Sequence, residues 1–272
     1  MSVSSSSSHP KRELRRLAEE VLTELGQGPI EVDGTPVAPM PSVEVLSEVI
    51  LPMLLWCRET APTGERGLVG IVGPPGSGKS TLCAWFEAAA SSLHFEDCAF
   101  MSLDGYHFAN AVLDARTGMD PKGNVVSMRA LKGTPASFDA EALLKDLRAL
   151  QTTHHAHRVP AYSRALHEPV PDAVQIGPEA RWVFVEGNFL FLDEPPWREN
   201  RELLDRRLYV HVPEAILRSR LAGRHARAGR SQEWIDAHYR RTDGPNIRRV
   251  EATRPYADVV IEWPQDRNPA AR

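Results

Sequence analysis

The run GLVGIVGPPGSGKSTLCAWF, residues 67–86, constrains this chain more than any other, because it sets an apolar strand, a glycine-rich turn and an amphipathic helix end to end. Leu68 to Val72 is a short apolar run suited to a buried parallel strand, and from Lys79 to Ala90 apolar residues recur at helical spacing. Between them, Gly73, Pro74, Pro75, Gly76, Ser77, Gly78, Lys79, Ser80 and Thr81 carry the pattern Gly-x-x-x-x-Gly-Lys-Ser. Glycine at 73, 76 and 78 lets successive backbone N–H groups turn toward one anion, at the positive end of the helix that follows. Lys79 adds a point charge for β- and γ-phosphates, and the Ser80 hydroxyl is placed to ligate Mg²⁺. The segment therefore predicts a triphosphate cradle, with ATP and Mg²⁺ as cofactors.

The rest of the composition narrows the setting. At 272 residues the chain can bury a substantial core, and one catalytic domain is the expected count. A formal net charge of −4 argues against a general polyanion-binding surface, so nucleic acid is not an expected partner. Cys57, Cys83 and Cys98 lie in apolar settings without the paired spacing of a metal or redox site, and read as core residues in a reducing compartment. The longest apolar run, Val49 to Trp56, contains Pro52 and falls far short of the ~20 residues that span a bilayer. With no apolar signal core at the N-terminus, the expectation is a cytoplasmic protein with no membrane partner.

Residues 1–60 read as a disordered serine tract, Ser4 to Ser8, followed by a helical extension over Lys11 to Leu25 and Val43 to Cys57. From Gly67 onward strands and helices alternate: strand 68–72, helix 79–92, strand 98–103, helix 139–151, strands 181–186 and 206–211, helix 213–227, strand 257–262. This is the signature of βαβ units on a mostly parallel sheet. Polar, proline-containing stretches at 106–133 and 152–180 are too long for simple connections and predict a binding site between them.

Three further groups carry chemistry. The second strand ends in FMSLDGYHFAN, which delivers Asp104 to the carboxyl edge of the sheet beside the phosphate loop, where a general base belongs. The run RWVFVEGNFLFLD places Glu186 after a buried strand at the same edge, as a Mg²⁺ partner alongside Ser80. Helix 213–227 leads into an arginine-rich run, Arg218, Arg220, Arg224, Arg227 and Arg230; it predicts a lid in which Arg224 or Arg227 closes over the γ-phosphate. The cluster His154, His155, His157 fits no common metal-ligand spacing and reads as a polar loop.

Taken with LDGYHFAN (103–110), KGTPASFD (132–139), PAYSRALHEPVPDA (160–173), VFVEGNFLFLD (183–193) and TRPYADVVIEW (253–263), the phosphate loop makes the chain resemble the small-molecule P-loop kinases that include uridine kinase, phosphoribulokinase and bacterial-type pantothenate kinase. The resemblance implies an α/β P-loop NTPase three-layer fold over residues 65–265, with a lid segment, the N-terminal helical extension and a flexible tail at 266–272. It implies Asp104 as catalytic base, Lys79 and Ser80 holding nucleotide and Mg²⁺ with Glu186 supporting the metal, and Tyr106, His107, Lys132, Tyr162, Arg164, His167 and Glu168 as the pocket of a small hydroxyl acceptor. Each of those seven could equally hold the insertions together by local hydrogen bonds. The oligomeric state is left open, a homodimer included. The rival reading is a regulatory NTPase switch, which would need a guanine-reading Asn-Lys-x-Asp; the chain has no Asn-Lys pair.

Overall fold

Five strands form the central sheet: β1 (Gly67–Val72), β2 (Cys98–Ser102), β3 (Trp182–Glu186), β4 (Arg206–His211) and β5 (Val259–Glu262). The order across it is β5-β4-β1-β3-β2, every neighbouring pair parallel. β1 and β3, two of the three interior strands, are buried along their whole length, which their unbroken apolar sequences permit because both faces are covered. Period-two alternation then feeds two cores. Leu68, Val72, Val183 and Val185 face the helix Ala140–Thr152 through Leu143 and Leu147. Val69, Ile71 and Phe184 face the helix Lys79–Ser92 through Leu82 and Phe86, with the Phe86 and Phe184 rings 5.2 Å apart.

The computed structural model describes residues 8–26, 30–32, 35–37, 41–120 and 123–262. A helix over Ser8–Leu25 and a continuous helical stretch from Val43 to Glu59, interrupted by a π turn at Leu46–Ile50, add Ala18, Val21, Leu51 and Leu54 to the second core. The serine tract before Ser8 and residues 266–272 lie outside the described residues. Among the described residues no helix is long and apolar enough to cross a membrane. Cys57 and Cys83 are buried free thiols, and burial pushes the half-buried Cys98 thiol up to about 12.

Two regions differ from the sequence pattern. Residues 152–180 hold an antiparallel hairpin, His157–Ser163 with Glu168–Ile176, whose pairing shifts between Val159 and Ala161. Pro160 occupies the shift, where its missing N–H costs no ladder bond. Prolines at 160, 169 and 171 break the strand pattern in the sequence, so the hairpin is invisible there. Beyond the lid helix, Gln232–His238, a π turn at Tyr239–Asp243 and Gly244–Glu251 run on as helix.

Arg66, fully buried at the entrance of β1, joins these layers. Its Nε donates to the Ala180 carbonyl at 3.0 Å and its Nη2 to the carbonyls of His155 (2.9 Å) and Gly177 (3.0 Å), while Nη1 donates to that of Thr153. The histidine-rich loop is thus a backbone acceptor for a buried guanidinium. Arg66→Met should leave four carbonyls without their charged donor and destabilise the protein by roughly 2–4 kcal/mol, read as a lowered urea midpoint at unchanged m-value.

Candidate active site

The phosphate loop begins where β1 ends, and its shape rests on two left-handed glycines, Gly76 (φ +81°) and Gly78 (φ +90°). Gly78 caps the helix Lys79–Ser92, so the first N–H groups of that helix face the loop. Space is as tight as conformation: a Cβ on Gly73 would stand 2.9 Å from the Val210 carbonyl, and one on Gly76 3.2 Å from Leu221 Cγ of the lid helix. Pro74 and Pro75 are buried, and the buried Ser77 Oγ has no hydrogen-bond partner among the described residues. This narrow, N–H-lined cradle with an unpaired buried hydroxyl fits a polyphosphate. Lys79, Ser80 and Thr81 open the helix beneath it.

Lys79 Nζ lies 3.8 Å from Glu186 Oε2, and both side chains are largely buried. The other oxygen, Glu186 Oε1, accepts from the Ser102 hydroxyl, and Ser102 Oγ in turn accepts from the Asp104 N–H at 3.2 Å. Register explains this meeting: Ser102 at the end of β2 pairs with Glu186 at the end of β3. Asp104 follows in a 3₁₀ turn, Leu103–Tyr106. Glu186 and the Ser80 hydroxyl are the oxygen donors the sequence offers to Mg²⁺, and the structure joins Glu186 to the start of the loop helix through Lys79. Ser102 is a member that the sequence pattern does not reveal, because only the strand register puts it opposite Glu186.

Asp104 Oδ2 accepts a 2.6 Å hydrogen bond from Arg164 Nη2. Burial works to raise the Asp104 carboxyl, but the charges of Arg164, His107 and Lys79 outweigh it and hold the group below its ordinary value. Burial pulls the His107 imidazole the other way; it lies below its ordinary value, with Lys132 and Arg164 adding to the effect and Asp104 opposing it. His107 Nδ1 is 2.9 Å from the Asp104 carbonyl, which assigns the proton of the neutral ring to Nδ1.

Tyr162 stands at the centre of the remaining predicted pocket residues. The His107 ring is 5.2 Å from it, and Lys132 Nζ and the Arg164 guanidinium each lie 5.1 Å from its centroid. Lys132 Nζ donates to Asn110 Oδ1 (2.7 Å) and the His167 carbonyl (2.9 Å), and the Glu168 carboxylate accepts from the Asn110 N–H. His167 and Glu168 thereby tie the hairpin to the helix Asn110–Ala115. Tyr106 stands apart from this group: it is buried, and its hydroxyl donates to Asp146 Oδ2 at 2.7 Å on the helix Ala140–Thr152.

The lid helix Glu214–Arg227 packs Leu217 and Leu221 over Gly76. Arg220 Nη1 donates to the Gly76 carbonyl at 3.2 Å, a phosphate-loop contact that helical spacing alone does not single out. Arg224 is open to solvent, yet desolvation of its guanidinium lowers its pKa; Asp243 and Asp104 counter this, and Arg164 and Arg227 add to it, which sets Arg224 within electrostatic reach of the candidate base. Arg227 lies alongside its own helix near Gly223, and Arg218 is exposed beside Tyr239. A cavity of about 370 Å³ opens at the end of β4, lined by His211, Val212, Leu217, Ile247, Arg254 and Pro255 among others. A second, of about 420 Å³, lies at the start of the edge strand β2, remote from the loop.

A parallel sheet whose carboxyl edge presents a phosphate loop, an acidic strand end and an arginine-bearing lid defines a P-loop kinase. The chain belongs to the Phosphoribulokinase / Uridine kinase family, whose model matches residues 68–268. An uncharacterised Escherichia coli protein, YggC, is 32% identical over 87% of this chain and 95% of its own length. A pantothenate kinase of Sorangium cellulosum is 28% identical over 74% of this chain and 70% of its own. Among solved structures, a candidate fructose transport system kinase from Silicibacter sp. is 30% identical, with a TM-score of 0.64 over 77% of this chain and 98% of the other. The protein is an ATP-dependent small-molecule kinase.

Arg224→Ala should lower turnover by roughly 10²–10³ at nearly unchanged ATP affinity, the behaviour of a cation used in the transition state. Arg220→Ala should instead weaken ATP binding by loosening the loop, and Arg218→Ala should change neither. Steady-state kinetics with nucleotide titration on the three variants separate these outcomes; equal, small effects from all three would reduce the run to a solvated basic face.

Proposed function

We propose that the chain is an ATP- and Mg²⁺-dependent phosphotransferase that phosphorylates a hydroxyl of a small polar metabolite, a sugar, nucleoside or pantothenate-like alcohol. The observation that carries this reading is the convergence of Lys79, Glu186, Ser102 and Asp104 on one sheet edge. In phosphoryl transfer the protein chiefly positions groups and neutralises charge. Ser80 and Glu186 would hold Mg²⁺, which supplies charge neutralisation on the phosphates. Lys79 holds the β- and γ-phosphates, and Arg224 and Arg227 are the lid cations. The cavity at the end of β4, lined by Val212 and by Leu217 of the lid helix, suits the nucleotide base.

Asp104 receives the proton of the acceptor hydroxyl as its oxygen attacks the γ-phosphorus and the bond from that phosphorus to the β,γ-bridging oxygen breaks, releasing ADP. At rest Arg164 occupies that carboxylate, so the base is released when an acceptor oxygen draws the guanidinium away. Lys132, His107, Tyr162 and Arg164, braced by His167 and Glu168, form the acceptor pocket, with Tyr106 supporting it from the core. A sugar suits this pocket within the class: the half-buried Tyr162 ring offers an apolar platform, Lys132 and Arg164 offer donors beside it, and the Silicibacter relative is named for fructose transport. Such an enzyme belongs in the cytoplasm, where its nucleotide is.

ADP release measured across sugars, polyols, nucleosides and pantothenate should show stimulation by one compound above the acceptor-free rate. Lys79→Ala should abolish transfer and weaken ATP binding; Asp104→Asn should keep ATP affinity within a few fold and lower turnover by roughly 10²–10⁴. Because the Asp104 carboxyl sits below its ordinary value, it stays ionised as pH falls, and the acid limb of kcat/KM should lie on the acid side of the ordinary aspartate range rather than near the histidine range. Collapse of ATP affinity in Asp104→Asn would make Asp104 a metal or structural residue, and no stimulation by any acceptor would leave the regulatory NTPase.

A further inference from the structure

The segment Thr242–Asn246 is polar and nevertheless buried. Thr242 is 2% exposed and Asp243 and Asn246 are each 5% exposed, values that ionised and amide side chains reach only with partners. It forms the junction between the π turn Tyr239–Asp243 and the helix Gly244–Glu251. That helix is anchored on both sides, by Ile247 against Leu217 and Leu221 of the lid helix and by Val250 in the core under the sheet.

From this junction two contacts reach in different directions. The Asp243 carboxylate lies between two histidines, His225 of the lid helix and His238 of the helix that follows it, with Oδ2 3.0 Å from His225 Nε2 and Oδ1 3.6 Å from His238 Nε2. His225 follows Arg224 in the lid helix, and His238 stacks on Trp234 with centroids 4.5 Å apart and planes at 10°. Three residues on, Asn246 Nδ2 donates to the Gly133 carbonyl at 2.9 Å. Gly133 directly follows Lys132, the acceptor-side cation of the proposed function. Gly133 itself is left-handed, φ +92°, so this carbonyl is set by a conformation that other residues rarely adopt.

We propose that Asp243 and Asn246 form a hub that couples the lid to the acceptor loop, Asp243 fixing the lid through His225 and His238 and Asn246 fixing the loop through Gly133. Both are positioning residues. For its purpose the hub rests on the kinase reading above: an enzyme that must exclude water until both substrates are present gains from joining its two closing elements. A buried carboxylate shared by two imidazoles keeps one geometry, because moving either ring leaves a buried charge short of a partner.

The test needs no turnover. Trp234 reports the lid, as the emission difference between the wild-type protein and Trp234→Phe, and amide hydrogen exchange reports residues 132–137. Addition of Mg²⁺ with a non-hydrolysable ATP analogue should shift Trp234 emission and slow exchange at 132–137 in the wild type. Asp243→Asn should lose both responses while its affinity for the analogue stays within about threefold, since the phosphate loop is untouched; Asp243→Glu, which restores the charge, should recover part of them. Asn246→Ala should keep the Trp234 shift and lose the slowed exchange. Far-UV circular dichroism and melting curves identify any variant that fails to fold, and His225→Asn supplies a second cut through the same contact. Protection of 132–137 that persists in both Asp243→Asn and Asn246→Ala overturns the proposal. So does a melting temperature raised by equimolar Zn²⁺ in the wild type and not in Asp243→Asn, which would make the His225, His238, Asp243 cluster a metal site. Absence of acceptor-stimulated ADP release, by contrast, strikes the kinase reading and leaves the hub standing on its spectroscopic result.

Discussion

A buried carboxylate, Glu186, is the point on which the active edge of this sheet depends. At 6% exposure it would be costly to ionise without partners, and it has them on both oxygens: Lys79 on one and Ser102 on the other. Each partner belongs to a different strand unit. Lys79 enters from the loop after β1, Ser102 from the end of β2, and Glu186 itself closes β3. The carboxylate therefore locks the relative register of three strands and, through Ser102, the backbone N–H of the candidate base Asp104. A slip of one residue between β2 and β3 would turn Ser102 away and leave a buried charge without its donor.

That dependence explains how much of the molecule is legible in the sequence. The parallel strands read clearly because each is a short apolar run between turn signals, and all five lie within two residues of the expected bounds. Phosphate-loop residues are equally plain, since the chemistry of glycine and lysine at fixed spacing needs no partner from elsewhere. Asp104 and Glu186 are visible as acids at strand ends. Ser102, however, is an ordinary strand residue until its register partner is known. Arg220 is one arginine of five, and only the packing of Leu221 on Gly76 brings its guanidinium to the loop carbonyl. The 157–176 hairpin is hidden by prolines that strands tolerate at an edge or a bulge and that pattern reading treats as breaks.

The acceptor side is built differently from the nucleotide side. Backbone N–H groups, fixed by glycine conformations and a helix end, make the phosphate cradle rigid before any ligand arrives. Around Tyr162 the donors are long side chains, Lys132 and Arg164, held by hydrogen bonds that a ligand can exchange. Lys132 is bound to two neutral oxygens and Arg164 to the carboxylate of Asp104, so the resting pocket is satisfied within itself. In this chain the phosphate-binding chemistry is carried by the main chain, and the chemistry proposed for the acceptor by side chains on inserted segments.

The ion pair between Arg164 and Asp104 gives this division a consequence for selectivity. A carboxylate paired at 2.6 Å with a guanidinium is held below its ordinary pKa and is correspondingly poor at accepting a proton. On the proposed function, water entering the cleft beside bound ATP would meet a base already occupied by arginine, whereas a ligand with several oxygens would take the guanidinium for itself and leave Asp104 facing the reacting hydroxyl. The differential binding energy of the correct acceptor is then spent on releasing the base. On that reading discrimination against water would arise from the same contact that stabilises the resting site, with the aromatic ring of Tyr162 beside the guanidinium to orient the ligand that makes the exchange.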